Sequence, residues 1–360
     1  MWQHIGACRY IWNYMLDLQE QRYIDGERHL SCFDTMKQLV LLKRQEEYQW
    51  LYGVSNATLQ LICIDLSKAY DKFFRKQSKP PKFKSRKRSN SNFPVRADGV
   101  WCSVSQVHIE KLGKVKYKCD REPPLGRRHR FINPRITYKN SKWLLTMVVE
   151  CENQAPELTD KPMGIDLGIK ETMTVAYGNE QIVFHNINKS RKVRLLKKQM
   201  KHLQRSISRK YEANRQGSKY IKTHNIERAE EKLRKMYARL INIRNNYIHQ
   251  CTHKLVSLLP SRVVMEDLNV LGMMKNKHLS KAVQEQCFYE IIRQMKYKCE
   301  WNGIPFIQVE RFYPSSKTCS CCGHIKRDLK LSDRTYACSE CGTVIDRDLN
   351  AAINLQRYSA

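Results

Sequence analysis

The 360-residue chain has no apolar run near the roughly eighteen residues a membrane helix needs, and no secretory leader is recognisable. The first absence argues against a membrane span. The second points to a reducing, cytoplasmic setting in which a disulfide framework is not expected. No internal repeat is apparent. Acidic residues are in short supply, with 35 Asp and Glu against 65 Lys and Arg, a formal charge of +30. A compact chain with that imbalance repels itself unless a polyanion neutralises it.

Two segments concentrate the positive charge. From Arg75 to Arg88 eight of fourteen residues are basic and none is acidic, and from Lys189 to Arg244 nineteen basic residues stand against four acidic ones. One such stretch alone is often a solvated helix face. Both together make nucleic acid the expected partner, because neither shows the Trp- or Phe-bearing apolar stripe of a membrane-surface helix. The candidate contacts are Lys82, Lys84, Arg86, Lys87 and Arg88 in the first segment. In the second they are Arg191, Lys192, Arg194, Lys197 and Lys198. No membrane partner is expected.

Cysteine is not lacking: there are fourteen, ten of them scattered singly. The other four form Cys319-x-x-Cys322-Gly323 and Cys338-x-x-Cys341-Gly342, fifteen residues apart. Two such knuckles match the spacing of a tetrahedral Zn²⁺ site, each followed by the Gly that lets the chain turn around the metal. Cys321 offers a third thiol in the first knuckle, but ligation by Cys319 and Cys322 keeps the two-residue spacing and leaves Cys321 pointing away.

The length suits two or three domains. Residues 1–74 have helical periodicity, with Ile5, Cys8, Ile11, Trp12, Met15 and Leu16 on one face, and predict a helical lobe. Residues 75–98 form a Pro- and Lys-rich basic linker without apolar period. Short strands at Val104–Ile109, Val115–Lys118, Arg135–Tyr138 and Trp143–Val149 predict a small antiparallel barrel or sheet over 99–160. From 161 to 314 three meandering strands lead into a basic helical hairpin over 188–250, broken near Gly217. A strand at Ser261–Met265, a helix over 281–301 and a strand at Ile304–Val309 follow. The ribbon occupies 315–345, and a last helix, expected from Leu349, lies in 346–360.

Without the hairpin and the ribbon, three strands, then strand, helix, strand and helix remain. Asp166 lies on the first strand, Glu266-Asp267 end the fourth, and Asp346 and Asp348 stand at the final helix. Carboxylates are hard oxygen ligands, and three of them at element edges suit two divalent ions such as Mg²⁺ about 4 Å apart, which polarise a scissile phosphate and activate water.

Gly164-Ile165-Asp166-Leu167-Gly168, Met265-Glu266-Asp267-Leu268-Asn269, and Ser315-Ser316-Lys317-Thr318-Cys319 through Asp346-Arg347-Asp348-Leu349-Asn350-Ala351-Ala352 resemble the TnpB/OrfB proteins of bacterial and archaeal insertion sequences. These are relatives of the miniature type V CRISPR nucleases. The resemblance covers nearly the whole chain and is strongest from 161 to 357. It implies an α/β multidomain protein: an N-terminal helical lobe with a small β-barrel, then a RuvC-like nuclease domain of RNase H fold carrying the basic hairpin and a zinc ribbon. It also implies an RNA-guided DNA endonuclease in a bacterial or archaeal cytoplasm, associated with the nucleoid. The guide RNA is transcribed from the element's own end, and the target is double-stranded DNA. By motif, Asp166, Glu266 and Asp348 match the catalytic acids, with Asn350 a support for Asp348; Asp346, two residues before Asp348, is expected either to cap the helix or to stand behind the acids.

The sequence departs from the family at its start, where a helix rather than a strand and Pro-containing turn is predicted almost from Met1. The expectation is a barrel without its first strand. That keeps two alternatives in view: an impaired or truncated copy acting as a zinc-ribbon nucleic-acid-binding regulator of its element, and a strand-transferring transposase.

Overall fold

The alternation of apolar and polar residues settles into two units, Met1–Cys151 and Glu152–Ala360. The computed structural model describes residues 1–119, 131–150, 156–311, 313–330 and 333–358. No described helix is long and apolar enough to cross a membrane.

The N-terminal unit begins with α1 (Trp2–Ile24), whose Ile5, Cys8, Ile11, Trp12, Met15 and Leu16 are buried as their spacing requires. α2 (Cys32–Arg44) starts at a capping box in which Ser31 and Asp34 satisfy each other's backbone amides. A 3₁₀ segment (Glu46–Gly53) and α3 (Asn56–Phe74), capped by Ser55, complete the helices.

Six strands follow: β1 (Asn92–Pro94), β2 (Val100–Cys102), β3 (Gln106–Ile109), β4 (Gly113–Lys116), β5 (Phe131–Lys139) and β6 (Lys142–Val149). They form two three-stranded antiparallel sheets, in orders β1-β5-β6 and β2-β3-β4, that share one core with the helices. The β5–β6 turn places Asn140 and Ser141 at φ of 53° and 63°, as a two-residue turn matching strand twist demands. The basic segment is not wholly a linker. Its end contributes β1, and Trp12 donates to the Lys82 carbonyl while Asn13 clasps the backbone of Lys84 from both sides.

The second unit opens with β7 (Met163–Leu167), β8 (Glu171–Tyr177) and β9 (Glu180–His185), then α4 (Arg191–Ala213), the short ladder β10 (Arg215–Gln216) with β11 (Lys219–Tyr220), and α5 (His224–Val256). β12 (Val263–Glu266), α6 (Val270–Lys275), α7 (Ser280–Gln286), α8 (Phe288–Trp301) and β13 (Phe306–Val309) come next. β14 (Thr335–Ala337), β15 (Val344–Asp346) and α9 (Arg347–Gln356) close the chain. Residues 156–160 belong with this unit, since the Thr159 amide donates to the Leu259 carbonyl; the division falls before the 160/161 boundary expected from sequence.

The helix expected over 281–301 is two helices, parted at Cys287, which adopts a left-handed φ of 56°. α6 was not anticipated at all. α9 starts at Arg347 rather than Leu349, because Asp346 caps it.

The main sheet runs β13-β12-β7-β8-β9, antiparallel from β7 to β9 and parallel from β7 to β13. Alternation along β7 and β12 decides what each face carries. Met163, Ile165, Val263 and Met265 point into a core built with Ile248 and Leu255 of α5 and Ile291 and Met295 of α8. The opposite face holds Val264 and Val309 against Leu355 of α9. By the same parity it carries Gly164, Asp166 and Glu266. Gly164 has no room for a side chain: a Cβ there would lie 2.1 Å from the Ala352 carbonyl and 2.3 Å from the Gln356 amide.

Gly164→Ala therefore has to push the α9 backbone off the sheet, an overpacking strain of about 1–3 kcal/mol. The melting temperature of the second unit should fall by about 3–10 °C, with α9 becoming protease-sensitive, measured by calorimetry and limited digestion. An unchanged melt would show that α9 does not sit on β7 this closely.

Candidate active site and metal centre

Three elements bring the acids together. β7 and β12 are parallel neighbours with Met265 opposite Ile165, so Glu266 follows one step along the strand beside Asp166 on the α9 face. α9 delivers Asp348 from its first turn, where the carboxylate lies beside Gly168 at the end of β7. Surrounding protein strips water from the Asp166 carboxyl, and the negative charges of Glu266 and Asp348 add to that burial. All three effects hold its pKa well above the usual carboxylate range. Glu266 is also raised, by burial, against the opposing pull of a hydrogen bond from the Ser315 hydroxyl and the charge of Arg347. Each acid keeps part of its surface open, as a residue that meets a ligand must. The carboxylates repel one another without being closed into a tight cluster: among the described residues, only the four ribbon cysteines form a set with ligand atoms all within 4.8 Å of one another.

The acids next to these three have partners of their own. Asp267 is taken by Arg311, whose Nε and Nη2 both donate to it at 3.0 and 2.8 Å, leaving Glu266 as the acid beside Asp166. Asp346 accepts from the amides of Asp348 and Leu349 at 2.9 and 3.1 Å, so of its two expected places it takes the cap. Asn350 is a correction. It is buried, donates to the Thr318 carbonyl at 2.7 Å and accepts from the Ser320 amide at 2.9 Å, so it supports the ribbon's base rather than touching the Asp348 carboxylate. Asn354, unnoticed in the sequence, does the same one helical turn later by donating to the carbonyls of Ser315 and Thr318. Ser315 and Arg347 were also missed. Both lie inside quoted motifs, but neither periodicity nor spacing distinguishes them from their neighbours.

In the ribbon the Sγ atoms of Cys319 and Cys341, and of Cys322 and Cys338, are 3.6 Å apart. Tetrahedral Zn–S bonds of about 2.3 Å require sulfurs about 3.8 Å apart, so the four thiols fit the ion. Gly323 and Gly342 take φ of 80° and 70°, the left-handed turn each knuckle needs. The Thr343 hydroxyl and amide draw the Cys341 thiol down to about 6, favouring the thiolate a metal needs. Cys321 is exposed and outside the set.

Of the basic candidates, Lys82, Arg86, Lys87, Arg88, Arg191, Lys192, Arg194 and Lys198 are exposed. Two are held by other parts of the chain. Lys197 donates to Glu285 at 2.7 Å, fastening α4 to the end of α7, and Lys84 turns its ammonium onto the Trp12 ring, 3.3 Å from the centroid.

Residues 146–277 match the family described as "Probable transposase" (OrfB, IS605), 288–355 the "Cas12f1-like, TNB domain", and 1–28 the OrfB "Helix-turn-helix domain". The chain thus carries regions matching the OrfB (IS605) and Cas12f1-like TNB families. It is 28% identical over 351 residues to the "Putative RNA-guided DNA endonuclease" of Streptomyces pristinaespiralis, spanning 97% of this chain and 83% of that protein. Against the "Putative RNA-guided DNA endonuclease InsQ" of Escherichia coli K12 the identity is also 28%, over 97% and 86%. The "CRISPR-associated endodeoxyribonuclease Cas12f1" of Sulfoacidibacillus thermotolerans is 24% identical over 60% of this chain and 50% of its own.

Two outcomes test the centres of this chain. An acid whose folded pKa exceeds its unfolded value contributes stability that is complete below the unfolded pKa near 4 and is lost as pH rises. Asp166→Asn should therefore raise the melting temperature of the metal-free protein by about 2–4 °C at pH 7. It should leave it unchanged below about pH 4 and abolish any rise produced by Mg²⁺. For the ribbon, elemental analysis of reduced protein should give one zinc per chain. That zinc should be retained in Cys321→Ser and lost in Cys338→Ser.

Proposed function

We propose that this chain is a mobile-element-encoded, RNA-guided DNA endonuclease whose second unit is a RuvC-like domain of RNase H fold. The observation that carries the reading is the meeting of Asp166, Glu266 and Asp348 on one face of the sheet, where their charges oppose one another. Folding gains nothing from such an arrangement, and divalent cations relieve it. The sheet order β13-β12-β7-β8-β9 supports the RNase H-like reading, and the relatives' names support the guided-nuclease one.

In this reading Asp166, Glu266 and Asp348 would hold two Mg²⁺ ions, which when bound would polarise the scissile phosphate and lower the pKa of the attacking water.

 The other steps belong to the chain's own residues. The Ser315 hydroxyl fixes the Glu266 carboxylate, and Asp346 fixes the first turn of α9 and with it Asp348. Arg347 offsets part of the negative charge, with its Nε 3.9 Å from an Asp348 oxygen. The four cysteines would hold a Zn²⁺ whose role is structural, since they supply all four ligands of a tetrahedral site. An exposed basic surface on both units suits a guide RNA and its A-form heteroduplex with the target strand, held through the backbone while base pairing chooses sequence.

The test is expression beside the element's own flanking DNA. The purified protein should carry one discrete RNA and, with Mg²⁺, cut double-stranded DNA complementary to it. Asp166→Ala should lower the cleavage rate at least about 10³-fold while leaving the RNA bound. Recovery without a discrete RNA, together with equal affinity for random duplex, would favour the non-cutting regulator instead.

A further inference from the structure

The N-terminal unit contains a cavity of about 270 Å³ between α1, α3, β5 and the basic segment. At roughly 30 Å³ per water this is ample for a tetrahedral oxyanion. Three cations line it, Arg9, Lys84 and Arg135, against one carboxylate, Asp65. That carboxylate is already committed, since Arg135 donates to it at 2.6 Å. Arg9 and Lys84 have no ion-pair partner among the described residues.

Lys84 is also held in place. Asn13 donates to its carbonyl at 2.9 Å and accepts from its amide at 2.7 Å, and its ammonium rests 3.3 Å from the centre of the Trp12 ring. A mobile lysine would swing into water; this one keeps its charge at the cavity wall. Burial lowers its pKa to about 8, a state that a bound anion relieves. Asn92 adds an amide at the rim.

We propose that this cavity seats one backbone phosphate of a nucleic-acid strand, held by Arg9 and Lys84. A rigid guanidinium fork beside a fixed ammonium matches the oxygens of a phosphodiester. The identification of the ligand as nucleic acid rests on the proposed function; the excess of positive charge in the cavity does not.

The experiment scans single uncharged methylphosphonate linkages along the RNA that copurifies with the full chain and, in a second arm, along the target DNA. One position should weaken wild-type binding about tenfold, and the strand on which it falls identifies the source. Arg9→Gln should weaken binding by a similar factor, reduce the salt slope by about one phosphate, and lose sensitivity at that position alone. Arg191→Gln, on the exposed face of α4, should lower affinity without erasing that position. Unchanged affinity in Arg9→Gln, or position sensitivity identical to wild type, overturns the proposal. If the chain binds neither nucleic acid, the proposed function fails, and the cavity is then tested with inorganic phosphate at matched ionic strength. A rise in melting temperature present in wild type and absent in Arg9→Gln upholds an anion site, and no rise in wild type removes it.

Discussion

Helix α9 lies so close to β7 that the space a Cβ would need at Gly164 is filled by the Ala352 carbonyl and the Gln356 amide. The period of two along a strand then fixes the consequences. Asp166, two residues on, must point to the same face as Gly164, and the head of α9 must arrive beside it. Glu266 joins because β12 runs parallel to β7 in a register that places Met265 opposite Ile165. Close approach at one glycine thus positions an acid presented two residues away by the strand and a third presented by the helix.

That convergence works against folding. Burial and like charge raise the pKa of Asp166, and a chain selected for stability alone has no use for them. The structure offsets part of the strain locally. Ser315 donates to Glu266, Arg347 lies beside Asp348, and Asp346 is drawn off to cap α9. Asn350 and Asn354 fasten residues 315–320, at the base of the ribbon, to α9, so the cysteine cluster and the carboxylates share one helix as support. Loss of zinc order is therefore expected to reach the acids through α9 rather than through the solvent.

Much of the second unit was legible because its signals are local. Two knuckles at ligand spacing, an acid within a short apolar strand and Asp-x-Asn-Ala-Ala at a helix start carry their chemistry in adjacent residues. The strands at 163–185 and the helical hairpin follow from periodicity in the same way. The misses are of another kind. The end of the basic segment becomes β1 only because β5 is there to pair with it, and Cys287 breaks a helix whose pattern runs on without interruption. Lys84 and Lys197 look like their exposed neighbours in sequence, yet Trp12 and Glu285, far along the chain, claim them.

The sequence by itself determined residue chemistry and local period: the thiol set, the basic surplus, which residues can be acids at element edges, and the resemblance those motifs carry. The resemblance selected Glu266 and Asp348 by motif, and only the tertiary structure showed what occupies their neighbours. Asp267 goes to Arg311 and Asp346 to the helix cap, leaving Glu266 and Asp348 beside Asp166. It alone gathered Arg9, Lys84, Asp65 and Arg135 around one cavity. The reason is physical: spacing along the chain sets which face a side chain takes, whereas its charge partners are set by packing between segments that can be more than a hundred residues apart.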